Sequence, residues 1–533
     1  MCAAQAKKDV TNRAICTKCN SVVPTHHERR DGKVYLVKEC PDCGNSEVSV
    51  SSDAARYDEK RQIIGYPDEA LKSCSLNCRD CKIHKPPTLV FIDVTNRCNM
   101  NCPICLANIP AMGFRFDPPM AYFEKIFQKL ASMDPKPKIQ LFGGEPTVRK
   151  DLLDLIDLAH EKYDLNCRVV TNGLRLADED YCKKLMSKNV QVMFSFDGRS
   201  PEIYEATRKH PKAFEKKLKG LENAVKFGKN KITIMTCVAE QVNAKHMPDM
   251  IELCHEHRGR IAALDLIPLT AHWGPEAVDV ESATIEDVER IMNDAIPGME
   301  FIPASLAFKL KTLYEVFGTD RITFGGAHPN CESVSILISD GEKYHPASKF
   351  LTRPFQDVAN DLIAMDEQMA AKVKKSWIAR LLGEKGRKLL YSMALFKFAR
   401  RNFNLREIFG GSPTLKTLKI LLGLLGGKKA KHVLRANTRC HHILRVIILP
   451  FEEPECVEAA RLVDCPAAFA FEHPESKEIH FMPVCSWPIY KDDILRETAE
   501  NYGVAGKDAG DLGMETLSSK EAAQKTASPE TNA

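Results

Sequence analysis

LVFIDVTNRCNMNCPIC, residues 89–105, sets a seven-residue apolar run with strand-forming character directly before three cysteines spaced C-x-x-x-C-x-x-C, at Cys98, Cys102 and Cys105. A strand that ends in a thiol-rich loop places those thiols at its C-terminal end, where barrels and open α/β sheets gather their chemistry. The pattern repeats downstream. Further candidate strands lie at 138–143, 166–171, 190–196, 231–237 and 261–268, with amphipathic stretches such as MAYFEKIFQKLASM and LLDLIDLAHEKY between them. Successive β-α units imply an α/β fold built on a parallel sheet, either curved into a partial (β/α)6 TIM-like barrel or left open and doubly wound.

The ends of these strands carry polar turns. Gly143-Gly144-Glu145-Pro146 closes the second, Thr171-Asn172-Gly173 the third and Ser195-Phe196-Asp197-Gly198 the fourth. Glycines allow close backbone approach, and a carboxylate suits a cationic ammonium. Three thiolates on one loop leave one iron of a 4Fe-4S cluster without a protein ligand, an open position of the kind that separates catalytic from structural metal sites.

Twenty cysteines in tight spacings, without a leading apolar stretch, point to metal rather than disulfides. Near the N-terminus, Cys16-x-x-Cys19 and Cys40-x-x-Cys43 flank an Asp31-Gly32 turn and the alternating KVYLVKE, a hairpin with two knuckles that suits Zn or a single Fe. Cys74-x-x-x-Cys78-x-x-Cys81 repeats the spacing of the loop at 98. Only the loop at 98 follows an apolar strand, and only it has an apolar residue, Ile104, before its last cysteine; Asp80 takes that place in the other. The triplet at 74 is therefore read as a second cluster, with Cys331 or His328 as its fourth ligand. Cys440, Cys456, Cys465 and Cys485 form a further cysteine-bearing region. Cys167, Cys182, Cys237 and Cys254 fall within predicted strands or helices and are read as core.

The charge is uneven. Residues 372–435 hold seventeen Lys/Arg against two Glu, a local +15, so the net +4 leaves 4 − 15 = −11 on the remainder. Apolar Trp377, Leu381, Leu382, Leu389, Leu390, Phe396 and Phe398 recur among those cations at helical spacing, as in a helix that lies at a membrane surface. No window reaches the roughly 18 apolar residues of a membrane span, so a cytoplasmic protein, peripheral at the inner membrane surface, is expected.

The cysteine loop, the GGEP turn and the polar ends of strands three and four together resemble the radical SAM superfamily over roughly residues 89–300. That resemblance implies a 4Fe-4S cluster on Cys98, Cys102 and Cys105, S-adenosylmethionine (SAM) on the open iron, and SAM contacts from Ile104, Gly143, Gly144, Glu145, Pro146, Asn172, Ser195, Asp197 and Arg208. It also implies reductive cleavage of SAM to a 5'-deoxyadenosyl radical, with reduced ferredoxin or flavodoxin as electron donor and two auxiliary 4Fe-4S clusters. The wider layout runs as a metal ribbon at 1–60, a cysteine segment at 61–88, a barrel at 89–300, a post-barrel segment at 301–371, basic helices at 372–437, a cysteine region at 438–500 and a disordered tail at 501–533. It resembles the tetraether lipid synthase group, which implies carbon–carbon bond formation on lipid chains. A methyltransferase of a pterin-like molecule and a peptide-modifying enzyme are the alternatives within the superfamily. A pterin pocket would be short and polar, a lipid pocket long and apolar. An iron-sulfur nucleic-acid binder is the alternative outside it, disfavoured because the cations sit in one Leu- and Phe-rich stretch.

Overall fold

The computed structural model describes residues 12–64, 74–81, 85–270, 281–317, 327–425, 430–450 and 454–504. Most of the tail expected to be disordered lies outside them.

Two sheets organise the chain. The first is a four-stranded antiparallel ribbon of β1 (Arg13–Ile15), β2 (Val22–Arg30), β3 (Lys33–Cys40) and β4 (Gly44–Ser51). Asp31 and Gly32 both adopt positive φ, 51° and 75°, as the tightest hairpin turns require, so β2 and β3 pair in the expected register.

The second sheet contains β5 (Leu89–Thr95), β6 (Lys138–Gly143), β7 (Cys167–Thr171), β8 (Gln191–Ser195), β9 (Ile232–Val238) and β10 (Ile261–Pro268), all parallel and adjacent in chain order. Sequential order excludes the doubly wound alternative, whose strand order reverses at a switch point. The sheet curves around a lumen and forms the partial (β/α)6 barrel. Its outer face is closed by amphipathic helices. The helix Met120–Ala131, for example, buries Tyr122, Phe123, Ile126, Phe127 and Leu130 against it, each burial contributing about 1.5–3 kcal/mol.

Segments read as post-barrel and cysteine regions extend this sheet at both edges. Beyond β10 come β14 (His442–Ile448), parallel, then β12 (Ser333–Ser339), antiparallel, which also pairs with β11 (Ile302–Pro303) and β13 (Tyr344–Pro346). Beside β5 come β15 (Ala467–Glu472), parallel, and β16 (Ile479–Pro483), antiparallel. The basic region forms helices Phe355–Lys375, Trp377–Asn402 and Pro413–Leu425. Tyr391 and Leu390 pack on a small core with Val316, Met369 and Val373, whereas Trp377, Leu381, Leu382, Leu389 and Phe396 remain exposed. Phe398 packs instead beside Phe403. Among the described residues, no helix is long and apolar enough to cross a membrane.

The ribbon is joined to the barrel by buried polar groups. His27 Nε2 lies 3.3 Å from Glu458 and 3.1 Å from the Tyr57 hydroxyl, and Asn12 also donates to Glu458. His27 leads the charges that hold the Glu458 carboxyl well below the usual range against the opposing effect of burial. Lys60, fully buried on the helix Ala54–Ile64, bridges Glu286 at 2.9 Å and Glu289 at 2.8 Å. Removing one partner of a buried pair strands the other charge. Lys60→Met is therefore expected to destabilise the protein by about 3–5 kcal/mol, read from chemical denaturation.

Candidate active site

The loop after β5 is closed by Asn96. Its backbone N–H donates to Phe116 O at 3.0 Å, its Oδ1 accepts from Phe116 N at 2.8 Å and its Nδ2 donates to Phe114 O at 2.6 Å. This clamp gathers residues 97–113 over the barrel mouth. Within it Met100 N–H donates to Cys98 Sγ at 3.4 Å. Burial raises the Cys98 and Cys105 thiols above their ordinary range, and the neighbouring Cys102 raises them further. Two buried thiols held above their ordinary range, on one loop with a third cysteine, fit a cationic iron centre, whose charge would favour the thiolates.

The GGEP turn meets this loop backbone to backbone. Gly144 N–H donates to Thr95 O and Glu145 N–H to Arg97 O, both at 2.8 Å. A Cβ on Gly143 would sit 2.3 Å from Thr95 O, and one on Gly144 2.3 Å from Arg97 O. The glycines are thus required by contact with the cysteine loop itself. Pro146 is buried and opens the short helical turn Pro146–Val148.

Glu145 Oε1 accepts from Thr147 N (3.1 Å), Thr147 Oγ1 (2.6 Å) and Thr171 Oγ1 (2.8 Å), and its Oε2 from Asn172 N (2.6 Å). It thereby ties the end of β6 to the end of β7, and Oε2, with a single donor, keeps capacity for a second. Asn172 then reaches the cysteine loop, its Nδ2 donating to Asn99 Oδ1 at 2.7 Å.

Asp197 is fully buried and holds Arg208. Arg208 Nε donates to its Oδ2 at 2.9 Å, while Cys237 N–H donates to its Oδ1 at 3.1 Å. Against the opposing effect of burial, Asp197 and then Cys102 and Cys237 hold the Arg208 guanidinium well above its ordinary range. Sequence reading missed Lys217 on the helix Ala213–Phe227. It is 1% exposed, and burial together with Arg208 lowers its ammonium to about 8 despite the negative groups Asp197, Cys102 and Glu145. Two buried cations beside the cysteine loop suit a carboxylate-bearing ligand. A lysine inside the charged run EKKLKG gave no signal of being buried. Ser195 continues the two-residue repeat of Gln191 and Met193 that faces the lumen, and Ile104 is buried in the main core beneath the loop.

Below the mouth lies a cavity of about 720 Å³, within the size range of small-molecule sites. Phe91, Gln140, Arg168, Met193, Asp265 and Arg445 line it. Cys331, Cys465 and Cys485 also reach its wall.

The remaining cysteines separate. The ligand atoms of Cys16, Cys19, Cys40 and Cys43 all lie within 4.8 Å of one another, the only such group of metal-ligating side chains among the described residues and the donor set of a tetrahedral structural site. Cys74, Cys78 and Cys81 form a second neighbourhood, with Cys78 bonded to Ser486 beside Cys485. His328, the rival fourth ligand, lies in the ribbon-side network near Arg461, Glu458 and His27. Nor do the four C-terminal cysteines gather. Cys456 lies against the ribbon near Lys38, and Cys440 adjoins the end of β12, where His441 N–H donates to Ser339 O at 2.8 Å.

A family model described as the radical SAM superfamily matches residues 92–254, and one described as the HMPTM N-terminal zinc ribbon domain matches residues 11–52. The chain is 26% identical over 520 residues to the 7,8-dihydro-6-hydroxymethylpterin dimethyltransferase of Methanocaldococcus jannaschii, covering 93% of this chain and 98% of that protein. It is 30% identical over 230 residues to the probable GTP 3',8-cyclase of Methanothermobacter thermautotrophicus, covering 43% of this chain and 70% of that one. Streptococcus suis SuiB bound to S-adenosylmethionine is a similar solved structure, at 14% identity, with 53% of this chain and 68% of that chain covered and a TM-score of 0.31.

The contact between glycines and cysteine loop is testable. Gly144→Ala is expected to lower 5'-deoxyadenosine formation on the order of a hundredfold by displacing the loop, whereas Gly259→Ala, with nothing within 4 Å of its added carbon, should leave it unchanged.

Proposed function

The chain belongs to the radical SAM superfamily, and on that premise we propose that it is a methyltransferase acting on a pterin-like molecule held in the barrel lumen. Its cofactors are a 4Fe-4S cluster and SAM, with a mononuclear metal at the ribbon. The observation that carries the substrate reading is the lining of the lumen. A cavity of about 720 Å³ that carries Arg168, Asp265, Arg445 and Gln140 among apolar residues such as Phe91, Met193 and Ile447 suits a flat ring with polar edges. Charged groups in the wall favour such a ring over a hydrocarbon chain, which would pair with none of them. Similarity to the pterin dimethyltransferase across 98% of its length, ribbon included, points the same way.

In this reading Cys98, Cys102 and Cys105 hold the SAM cluster, and Arg208 and Lys217 face the SAM carboxylate. Gly143, Gly144, Glu145 and Asn172 fix the loop, and Cys74, Cys78 and Cys81 hold an auxiliary cluster beside Cys485. The ribbon takes Zn on Cys16, Cys19, Cys40 and Cys43, and reduced ferredoxin or flavodoxin supplies electrons. When bound, the cluster would supply the electron that splits one SAM into methionine and a 5'-deoxyadenosyl radical able to take hydrogen from an inert carbon, and a second SAM would supply the methyl group, leaving S-adenosylhomocysteine. The chain's own part is to orient SAM, to present the substrate carbon and to exclude water.

A second reading concerns location. Exposed Trp377, Leu381, Leu382, Leu389 and Phe396 stand among a surplus of cations, which favours contact with an anionic membrane surface. Flotation with anionic vesicles should recover the protein at low salt and lose it as salt rises; absence of binding at low salt contradicts the contact.

Anaerobic incubation with SAM, reductant and 7,8-dihydro-6-hydroxymethylpterin should give a methylated pterin detectable by mass spectrometry. SAM cleavage without any methylated pterin would refute the substrate. Cys102→Ala should abolish 5'-deoxyadenosine formation altogether, while Cys16→Ala should keep it measurable.

A further inference from the structure

Asp265 is the one acidic side chain on β10, in the stretch IAALDLIP, and the two-residue repeat puts it on the lumen face with Ala263. It is 7% exposed, and its Oδ1 has no hydrogen-bond partner. No cation among the described residues comes within ion-pairing distance of it, yet Arg168 on β7 and Arg445 on β14 line the same cavity. Burial raises the Asp265 carboxyl to about 7, and the two guanidiniums oppose that rise without cancelling it. An unsatisfied buried carboxyl costs about 1–3 kcal/mol or more, so in a packed core it would be replaced or paired. In the wall of a cavity large enough for a ligand, it is a group waiting for one.

The chemistry of the three groups limits what that ligand can be. A phosphate would satisfy the arginines but be repelled by Asp265, and a simple cation the reverse. A hydrocarbon chain would leave all three unpaired. A flat heterocycle with adjacent N–H donors on one edge and carbonyl or ring-nitrogen acceptors on another would satisfy all three together. Building on the pterin reading above, we propose that Asp265 is the residue that recognises substrate, its carboxylate taking the paired N–H donors of a 2-amino-4-oxopyrimidine ring while Arg168 and Arg445 serve the acceptor side. A carboxylate offers two oxygens to two parallel donors, the arrangement that gives charge-assisted hydrogen bonds both strength and direction. A ring with a 2-oxo group in place of the amine would set an acceptor against the carboxylate and be rejected, since a site built for hydrogen-bonding groups discriminates strongly against analogues that lack them.

Equilibrium dialysis of the full chain, anaerobically reconstituted, tests this with two probes: 6-hydroxymethyl-7,8-dihydropterin and its 2-oxo analogue. The wild-type protein should prefer the pterin by at least about tenfold, and Asp265→Asn should weaken pterin binding by about 10–100-fold and collapse the preference. Circular dichroism and metal content establish that the variant is folded. Tight pterin binding by wild type with the same affinity in folded Asp265→Asn overturns the role of Asp265 and leaves the pterin reading standing. Equal affinity of the wild type for the two probes overturns it as well, with no variant involved. Failure of the wild type to bind the pterin overturns the substrate reading together with this one.

Discussion

The contact between the GGEP turn and the cysteine loop is the constraint on which the rest of the site depends. Two hydrogen bonds of 2.8 Å join the end of β6 to the backbone at Thr95 and Arg97, and they form only because neither Gly143 nor Gly144 carries a Cβ. Glu145 then accepts from Thr147, Thr171 and Asn172, and Asn172 returns to Asn99 in the loop. The thiols, the strand ends and the two buried cations are thereby fixed relative to one another before any cofactor binds. Such preorganisation lets a site place a reactive species without reorganising when it forms.

Much of this was legible in the chain itself. The six barrel strands lie within a residue or so of where their apolar runs predict them, because parallel strands buried on both faces leave an almost unbroken hydrophobic signature. The ribbon was legible from its knuckles and the Asp31-Gly32 turn. Other features left no local mark. β14 and β12 pair across about a hundred residues of sequence, and no spacing rule links HILRVII to SVSILIS. The cysteines after the barrel look like one set in the sequence and prove to be three neighbourhoods, because their company is decided by which sheet edge each segment joins.

Residue type and position identify the neighbourhood of single residues but not their partners inside the protein. Glu145 and Asp197, polar residues at strand ends, both take part in bonds that tie one strand end to the next. Lys217 and Asp265 look like an ordinary surface lysine and an ordinary strand interruption, and the fold buries them beside the cysteine loop and in the lumen wall. Such burial is visible only in three dimensions: Asp265 keeps an unpaired Oδ1, while the Lys217 ammonium lies over the Tyr204 ring, 5.7 Å from its centroid.

The charged groups of the lumen are the observation on which the proposed substrate class rests. A crystal structure of the anaerobically reconstituted protein with SAM and 7,8-dihydro-6-hydroxymethylpterin, phased on iron anomalous scattering, tests that arrangement most directly. The account predicts an iron cluster and SAM at Cys98, Cys102 and Cys105, and a pterin in the lumen among Arg168, Asp265 and Arg445. SAM on a cluster at Cys74, Cys78 and Cys81, or a pterin bound outside the barrel, would contradict it.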